Sequence, residues 1–285
     1  MKETRPCLIC SSEEFKEIAL YKAPDKYEAA SGVTGTNYYR AWARCQRCGF
    51  NQSHYSRGDD VLDRIYEDGY RASGAPWRSA STENIFKKVI NLPYEESETK
   101  QRIGWLLETY SGLMGAGVCA EISPRDGRFL DIGGATGVFA YEVARTFGEG
   151  WQVQIVDPAG SGDFLQRDWG LSYIQDSYRP GLCKGPFDLI SLVYVLEHLR
   201  EPDVILSTVR MDIVEGGAVY IEVPDSIAFE RLDYHDDIFN SCHLWMFDPV
   251  SLTALLQRNG FTVSGMRRYR TIRGHHALVA IGTPS

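Results

Sequence analysis

Hydrophobic and polar positions fall into a regular alternation from about residue 127 onward. FLDIG (129–133), WQVQIVD (151–157), LSYIQD (171–176), FDLISLVYVL (187–196) and GGAVYIEVPD (216–225) are apolar runs of strand length. The fourth is apolar enough to be buried on both faces, as a central parallel strand is. VFAYEVARTFG (138–148), PDVILSTVRMDI (202–213) and DPVSLTALLQRNG (248–260) have helical spacing instead. Pro202 and Pro249 fall in first turns and Asp248 at an N-cap, while Gly148 and Gly260 end their helices. FTVSGMRRY and HHALVAIG, separated by the short turn RTIRG, predict an antiparallel hairpin at one edge. The alternation as a whole predicts an α/β fold: a doubly wound, mostly parallel sheet with an antiparallel edge hairpin.

Upstream the texture differs. Residues 1 to about 75 are rich in Tyr, Arg and Gly and lack long apolar runs; DVLDRIYED (60–68) has helical spacing. YRASGAPWRSAS (70–81) reads as a linker, and two amphipathic helices are expected near 81–91 and 96–110. The expected organisation is a small N-terminal unit with a Tyr-bearing helix (1–75), a linker and helical lead-in (76–126) and the sheet domain (127–285).

Composition narrows the function classes. The net charge is −8, and residues 1–75 carry eleven basic and eleven acidic residues, so the excess of acid belongs to the remainder. That balance disfavours a phosphate backbone as the main partner. The chain has no run of 18 apolar residues and no apolar segment after MKETRPCLIC, so neither a membrane span nor a secretory signal is expected. A cytoplasmic setting follows as the expectation.

FLDIGGATGVFA (129–140) is a glycine-rich turn between a strand and a helix. Gly133, Gly134 and Gly137 allow a tight turn and close approach of a ligand. Asp131 decides which ligand. A carboxylate at the strand end repels a pyrophosphate but suits a cationic, phosphate-free cofactor such as S-adenosylmethionine (SAM). Asp157 ends the second strand, placed for the ribose hydroxyls, and Asp176 ends the third, placed for the adenine amine. DIGGATG, IVDP, YIQD, FDLISLVYVLEHL, GGAVYIEVPD and LLQRNGFTV together resemble the class I SAM-dependent methyltransferases over roughly residues 95–285. The resemblance implies a Rossmann-like sheet and SAM held by Asp131, Gly133, Gly134, Thr136, Gly137, Asp157, Asp176, Tyr194 and Glu197. Ala135 departs from the family's usual D-x-G-x-G-x-G.

Cys7-x-x-Cys10 and Cys45-x-x-Cys48-Gly49 have the spacing of two zinc knuckles, with four thiolates for a structural Zn²⁺. Neither pair starts a helix after a strand, as a redox motif would. Such a unit ahead of this methyltransferase type resembles bacterial enzymes that methylate sugars in nucleotide-sugar, lipopolysaccharide and antibiotic pathways. YYRAWARCQRCGF and LDRIYEDGYR match the way that unit continues. In the sugar C-methyltransferases of this group a further C-terminal domain follows the sheet, so methylation at oxygen is the expectation here.

A sugar hydroxyl needs a base within reach. His243 in SCHLWMFDP resembles the family's H-x-x-x-F histidine, although Cys242 stands where the C-methyltransferases have Glu. His198, beyond the fourth strand, is the second candidate. His235 in DYHDD is a weaker one, grouped with Glu222 and Asp225 as substrate-orienting residues. Tyr66 and Tyr70 are expected to form the opposite wall. His54 belongs to the zinc unit, and His275 and His276 are expected to lie far from the cofactor. The expected partner is a small-molecule acceptor, a sugar or nucleotide-sugar. Sugar C-methylation, an RNA or protein methyltransferase and a non-catalytic SAM-binding regulator are the rival readings.

Overall fold

The computed structural model describes residues 5–65, 80–113, 126–158 and 162–285. The N-terminal part contains β1 (Phe15–Tyr21), α1 (Lys26–Ala30), β2 (Arg40–Cys45), β3 (Asn51–Tyr55) and α2 (Asp59–Arg64). Two lead-in helices follow, α3 (Thr82–Ile90) and α4 (Glu98–Leu113). Next come β4 (Gly127–Ile132), α5 (Val138–Phe147), β5 (Trp151–Val156), α6 (Asp163–Trp169), β6 (Ser172–Ile174) and β7 (Phe187–Val193). The chain finishes with α7 (Pro202–Asp212), β8 (Ile213–Pro224), α8 (Ala228–Arg231), β9 (Trp245–Met246), α9 (Pro249–Arg258), β10 (Phe261–Arg270) and β11 (His276–Pro284).

The seven-stranded sheet has the order β10-β11-β8-β7-β4-β5-β6. β4 pairs in parallel with both β5 and β7, so the direction of winding reverses between β4 and β7. A ligand crevice is expected outside that point. β11 runs antiparallel to β8, and β10 antiparallel to β11, which makes the expected edge hairpin. Local chemistry sets the helix ends: Asp248 and Ser251 form a capping box at the start of α9, with Pro249 in its first turn.

Three features differ from the sequence expectation. α6 lies in a stretch read as loop; it has seven residues and buries only Phe164 and Leu165, too few to show a period. β8 begins at Ile213, before the Gly216–Gly217 pair expected to precede it. The small sheet has the order β1-β2-β3-β9, so its last strand comes from the loop before α9. With two residues, β9 has no period to detect.

The two sheets share a core. Phe50 and Tyr55 belong to the same apolar cluster as Trp245, Phe247, Leu252 and the sheet residues Leu130, Ile190 and Val223. Phe50 stacks on Trp245 at 6.2 Å and meets Phe247 at 5.4 Å. Each such buried aromatic contributes about 1.5–3 kcal/mol. The opposite face of the large sheet packs Val138, Phe139 and Val143 of α5 against Leu106 and Phe86.

Candidate active site and cysteine cluster

β4 ends at Ile132, and the chain turns through Gly133–Gly137 into α5. Gly133 (φ +70°) and Gly137 (φ +76°) lie in the left-handed region. A Cβ on Gly133 would meet Val195 Cγ2 at 2.6 Å, and one on Gly137 would meet Leu165 Cδ1 at 2.5 Å. Ala135 also has a positive φ of 46°, a conformation that costs a non-glycine residue about 1–2 kcal/mol. Asp157 holds this strained residue, its Oδ2 accepting the Ala135 N–H at 2.9 Å. Asp131 is buried, and its Oδ1 accepts from Ser191 Oγ at 2.6 Å.

A cavity of about 510 Å³ opens over this turn. Asp131, Gly133, Gly134, Thr136 and Tyr194 line its sheet side, and His198 and His243 another wall. Tyr27 of α1 closes it from the N-terminal unit, together with Asp237 and Asn240 of the loop before β9. Tyr27 OH donates to Asp237 Oδ2 at 3.2 Å. Asp25 accepts from the Ser241 amide at 2.6 Å, and Arg57 bridges Glu28 and the Ser241 carbonyl. The loop that carries His243 is therefore bound to the N-terminal unit.

Both histidines have defined tautomers. His243 Nδ1 lies 2.7 Å from the Ile238 carbonyl, and His198 Nδ1 lies 3.1 Å from the Cys242 carbonyl. A carbonyl only accepts, so each Nδ1 carries the proton and each Nε2 is unprotonated in the neutral ring. Burial pushes the His243 pKa down to about 4, which keeps the ring neutral. The Ile238 carbonyl, rather than an acidic neighbour, orients the His243 ring. Cys242 itself is buried, and burial raises its thiol pKa.

Several expected site residues lie elsewhere. Asp157 is buried behind the turn, Glu197 is wholly buried and Asp176 pairs with Arg179 at 2.6 Å; none of the three is in the cavity wall among the described residues. Glu222 is fully buried and takes three hydrogen bonds of 2.7–2.9 Å from Arg102. It stands behind Arg102, which lines the cavity. Asp225 pairs with Arg268 at 2.8 Å, and its neighbour Pro224 is the wall residue. The His235 side chain is 89% exposed and sits on the surface beside Asp233. Tyr66 and Tyr70 lie outside the described residues.

The cavity also contains residues that sequence reasoning missed. His275 lines it together with Arg273, contrary to the expectation for His275. Because β11 runs antiparallel to β8, its beginning lies beside the end of β8, at the ligand edge. Thr99 and Arg102 reach the cavity from α4. Thr99, Arg102, Ile103, Leu106 and Tyr110 are the buried stripe of that helix, and a charge inside such a stripe was the available signal. Burial opposes the Arg102 charge but Glu222 outweighs it, holding the pKa well above its ordinary value. Glu98 grips Arg273 at 2.7 Å; burial would raise its pKa, but Arg273 holds it down at about 2.

Away from the cavity, the four paired cysteines converge. Cys7 Sγ lies 3.5 Å from Cys48 Sγ and Cys10 Sγ 3.5 Å from Cys45 Sγ, with all four sulfurs within 4.8 Å of one another. A ZnS₄ tetrahedron has sulfur–sulfur edges of about 3.8 Å, so the cluster suits a zinc ion held between the two CxxC turns. Four thiolates leave it no open position for catalysis.

The fold and the glycine-turn cavity define a class I SAM-dependent methyltransferase domain. Residues 114–264, more than half of the chain, match the family described as a methyltransferase domain, and the chain belongs to that family. No curated protein matches the sequence. Among solved structures, a SAM-dependent methyltransferase from Clostridium acetobutylicum aligns with a TM-score of 0.50 at 11% identity, covering 71% of this chain and 97% of that one. The N-methyltransferase NodS from Bradyrhizobium japonicum, bound to S-adenosylhomocysteine, aligns at 0.47 and 15%, covering 72% and 99%. The Burkholderia thailandensis 1,6-didemethyltoxoflavin N1-methyltransferase aligns at 0.49 and 17%, covering 73% and 92%. Likenesses at these identities bear on the fold alone.

The residues present fit SAM. The cradle at Gly133–Gly137 excludes side chains, the buried Asp131 carboxylate suits a cationic ligand, and the volume is that of a cofactor pocket.

Proposed function

We propose that the enzyme transfers the methyl group of SAM to a hydroxyl of a sugar or nucleotide-sugar. The observation that carries this reading is the His198–His243 pair, with ring centroids 4.8 Å apart, facing the same cavity as the glycine turn. SAM supplies the electrophilic methyl carbon. Asp131, Thr136 and the glycines hold the cofactor, with Tyr194 beside it, and Asp157 keeps the turn in shape through its hydrogen bond to the Ala135 amide. The acceptor hydroxyl loses its proton at the histidine pair. Polar groups on this side, Tyr27 from the N-terminal unit and Asp237 and Asn240 from the loop before β9, suit a hydroxyl-rich acceptor better than an apolar one. The N-terminal unit covers the cavity through Tyr27, over a domain that begins near 127, and the four cysteines hold a structural zinc.

A screen of nucleotide sugars with SAM, read by mass, tests the acceptor class. A gain of one methyl group on a nucleotide sugar is the expected result; methylation confined to RNA or protein, or no turnover, overturns it. His243→Ala is expected to lower turnover of that acceptor by about 10²–10⁴-fold, and near-normal turnover would remove His243 from the site. Asp157→Ala is expected to weaken SAM binding by about 10–100-fold, since it removes a hydrogen-bonded charge. Calorimetry showing unchanged affinity would overturn that role.

A further inference from the structure

Glu197, His198 and His243 form a cluster distinct in composition from the cysteine site. One donor atom from each lies within 4.8 Å of the others, and His198 Nε2 is 3.8 Å from Glu197 Oε1. Glu197 is wholly buried and the two histidine side chains nearly so. We infer that these three residues bind a divalent first-row transition metal ion at the histidine wall of the methyl-transfer cavity, with Glu197 behind the two rings.

Three features of the structure support this. First, each ring donates its Nδ1–H to a backbone carbonyl, of Cys242 and of Ile238. Metal-binding histidines are oriented in this way, with one nitrogen tied to an oxygen and the other presented to the ion. Second, the cluster is preassembled. The Leu244 amide donates to the Glu197 carbonyl at 2.7 Å, and Trp245 Nε1 donates to the Leu199 carbonyl at 2.6 Å. These bonds fasten the segment after β7 to the loop bearing His243, so binding requires no large rearrangement. Third, the donor set is two imidazoles and one carboxylate. That set suits manganese, iron, cobalt, nickel or zinc and leaves coordination positions open. It contrasts with the four thiolates of the cysteine cluster, which close the coordination sphere.

An open position in this cavity has a chemical use. The inference rests on the reading of the cavity as the place where a hydroxyl is methylated. A hydroxyl bound to a divalent cation becomes far more acidic, as metal-bound water does. Its proton leaves to solvent, the oxygen lone pair forms the C–O bond, and the C–S bond breaks to give neutral S-adenosylhomocysteine. With the ion bound, His198 and His243 act as its ligands, and the ion takes over from a free imidazole the activation of the hydroxyl; both rings are already tied through Nδ1 to backbone carbonyls.

Co²⁺ titrated into the zinc-loaded 285-residue chain, without SAM or acceptor, tests the site. One equivalent should bind, with visible ligand-field bands and no thiolate-to-cobalt charge-transfer band. Glu197→Gln and His243→Asn should each weaken that binding at least tenfold while retaining the cysteine-bound zinc. Wild-type protein that binds no cobalt at submillimolar concentration would overturn the inference. So would equal affinity in both variants, or cobalt bound only with the thiolate band. Because metal binding is read without turnover, its failure is separable from failure to methylate a sugar, which the acceptor screen reports.

Discussion

Cys45→Ser is expected to strip the N-terminal unit of about one zinc ion per chain and to destabilise the protein by about 4–5 kcal/mol. In a domain of this size that corresponds to a fall in Tm of about 10–15 °C. The physical reason lies in the position of the cluster. Cys45 ends β2, and Cys7 and Cys48 belong to the turns that flank the small sheet. Without the ion, four sulfurs gathered within 4.8 Å lose the charge that holds them together. The loss should not be confined to that unit. Asp25, Glu28, Arg40 and Arg57 tie it to Phe239 and Ser241, in the loop that presents His243. Metal analysis, thermal unfolding and calorimetry together check this: zinc and acceptor turnover should fall, while SAM binding at the glycine turn persists. Full zinc content in Cys45→Ser, or an unchanged Tm, would refute it.

Arg102→Ala should destabilise the protein by about 3–5 kcal/mol, because it leaves the fully buried Glu222 carboxylate without its counter-charge. The pair joins α4 to the end of β8, and Tyr220 OH adds a hydrogen bond to Glu222 at 3.0 Å. Arg102 also sits over the Tyr194 ring at 5.6 Å, in the cavity wall. Its loss should therefore loosen both the fold and the cofactor side of the site. A compensating double variant separates the two effects. Arg102→Met with Glu222→Leu removes both charges and should recover most of the stability, since apolar replacement of a buried ion pair is often close to neutral. SAM affinity should stay low in the double variant. If the single variant melts like wild type, Glu222 is not the buried partner that the geometry describes.

The parts of the site that were legible in the sequence share one property: they are local. FLDIGGATG carries its own strand, turn and helix start, so Asp131 and the glycines are recognisable from a dozen residues. The two CxxC pairs are recognisable from spacing, although 35 residues separate Cys10 from Cys45. The opposite holds for Arg102 and His275. Arg102 acquires its role from Glu222, 120 residues away; the charge within the buried stripe of α4 marks Arg102, but nothing local names its partner. His275 reaches the cavity only through the direction of β11, whose start lies beside the end of β8, a pairing that the turn RTIRG does not itself encode.

The amino-acid sequence by itself determined the sheet, the glycine cradle and the sets of candidate ligands. These depend on short-range periodicity, on turn chemistry and on residue type. Tertiary structure alone decided which candidates meet. It buried Glu222 behind Arg102, put His235 in solvent, recruited β9 into the small sheet and brought Glu197, His198 and His243 together. Such contacts depend on strand order and chain direction across a shared core, and the free energy that selects them is spread over many residues rather than written in any one segment.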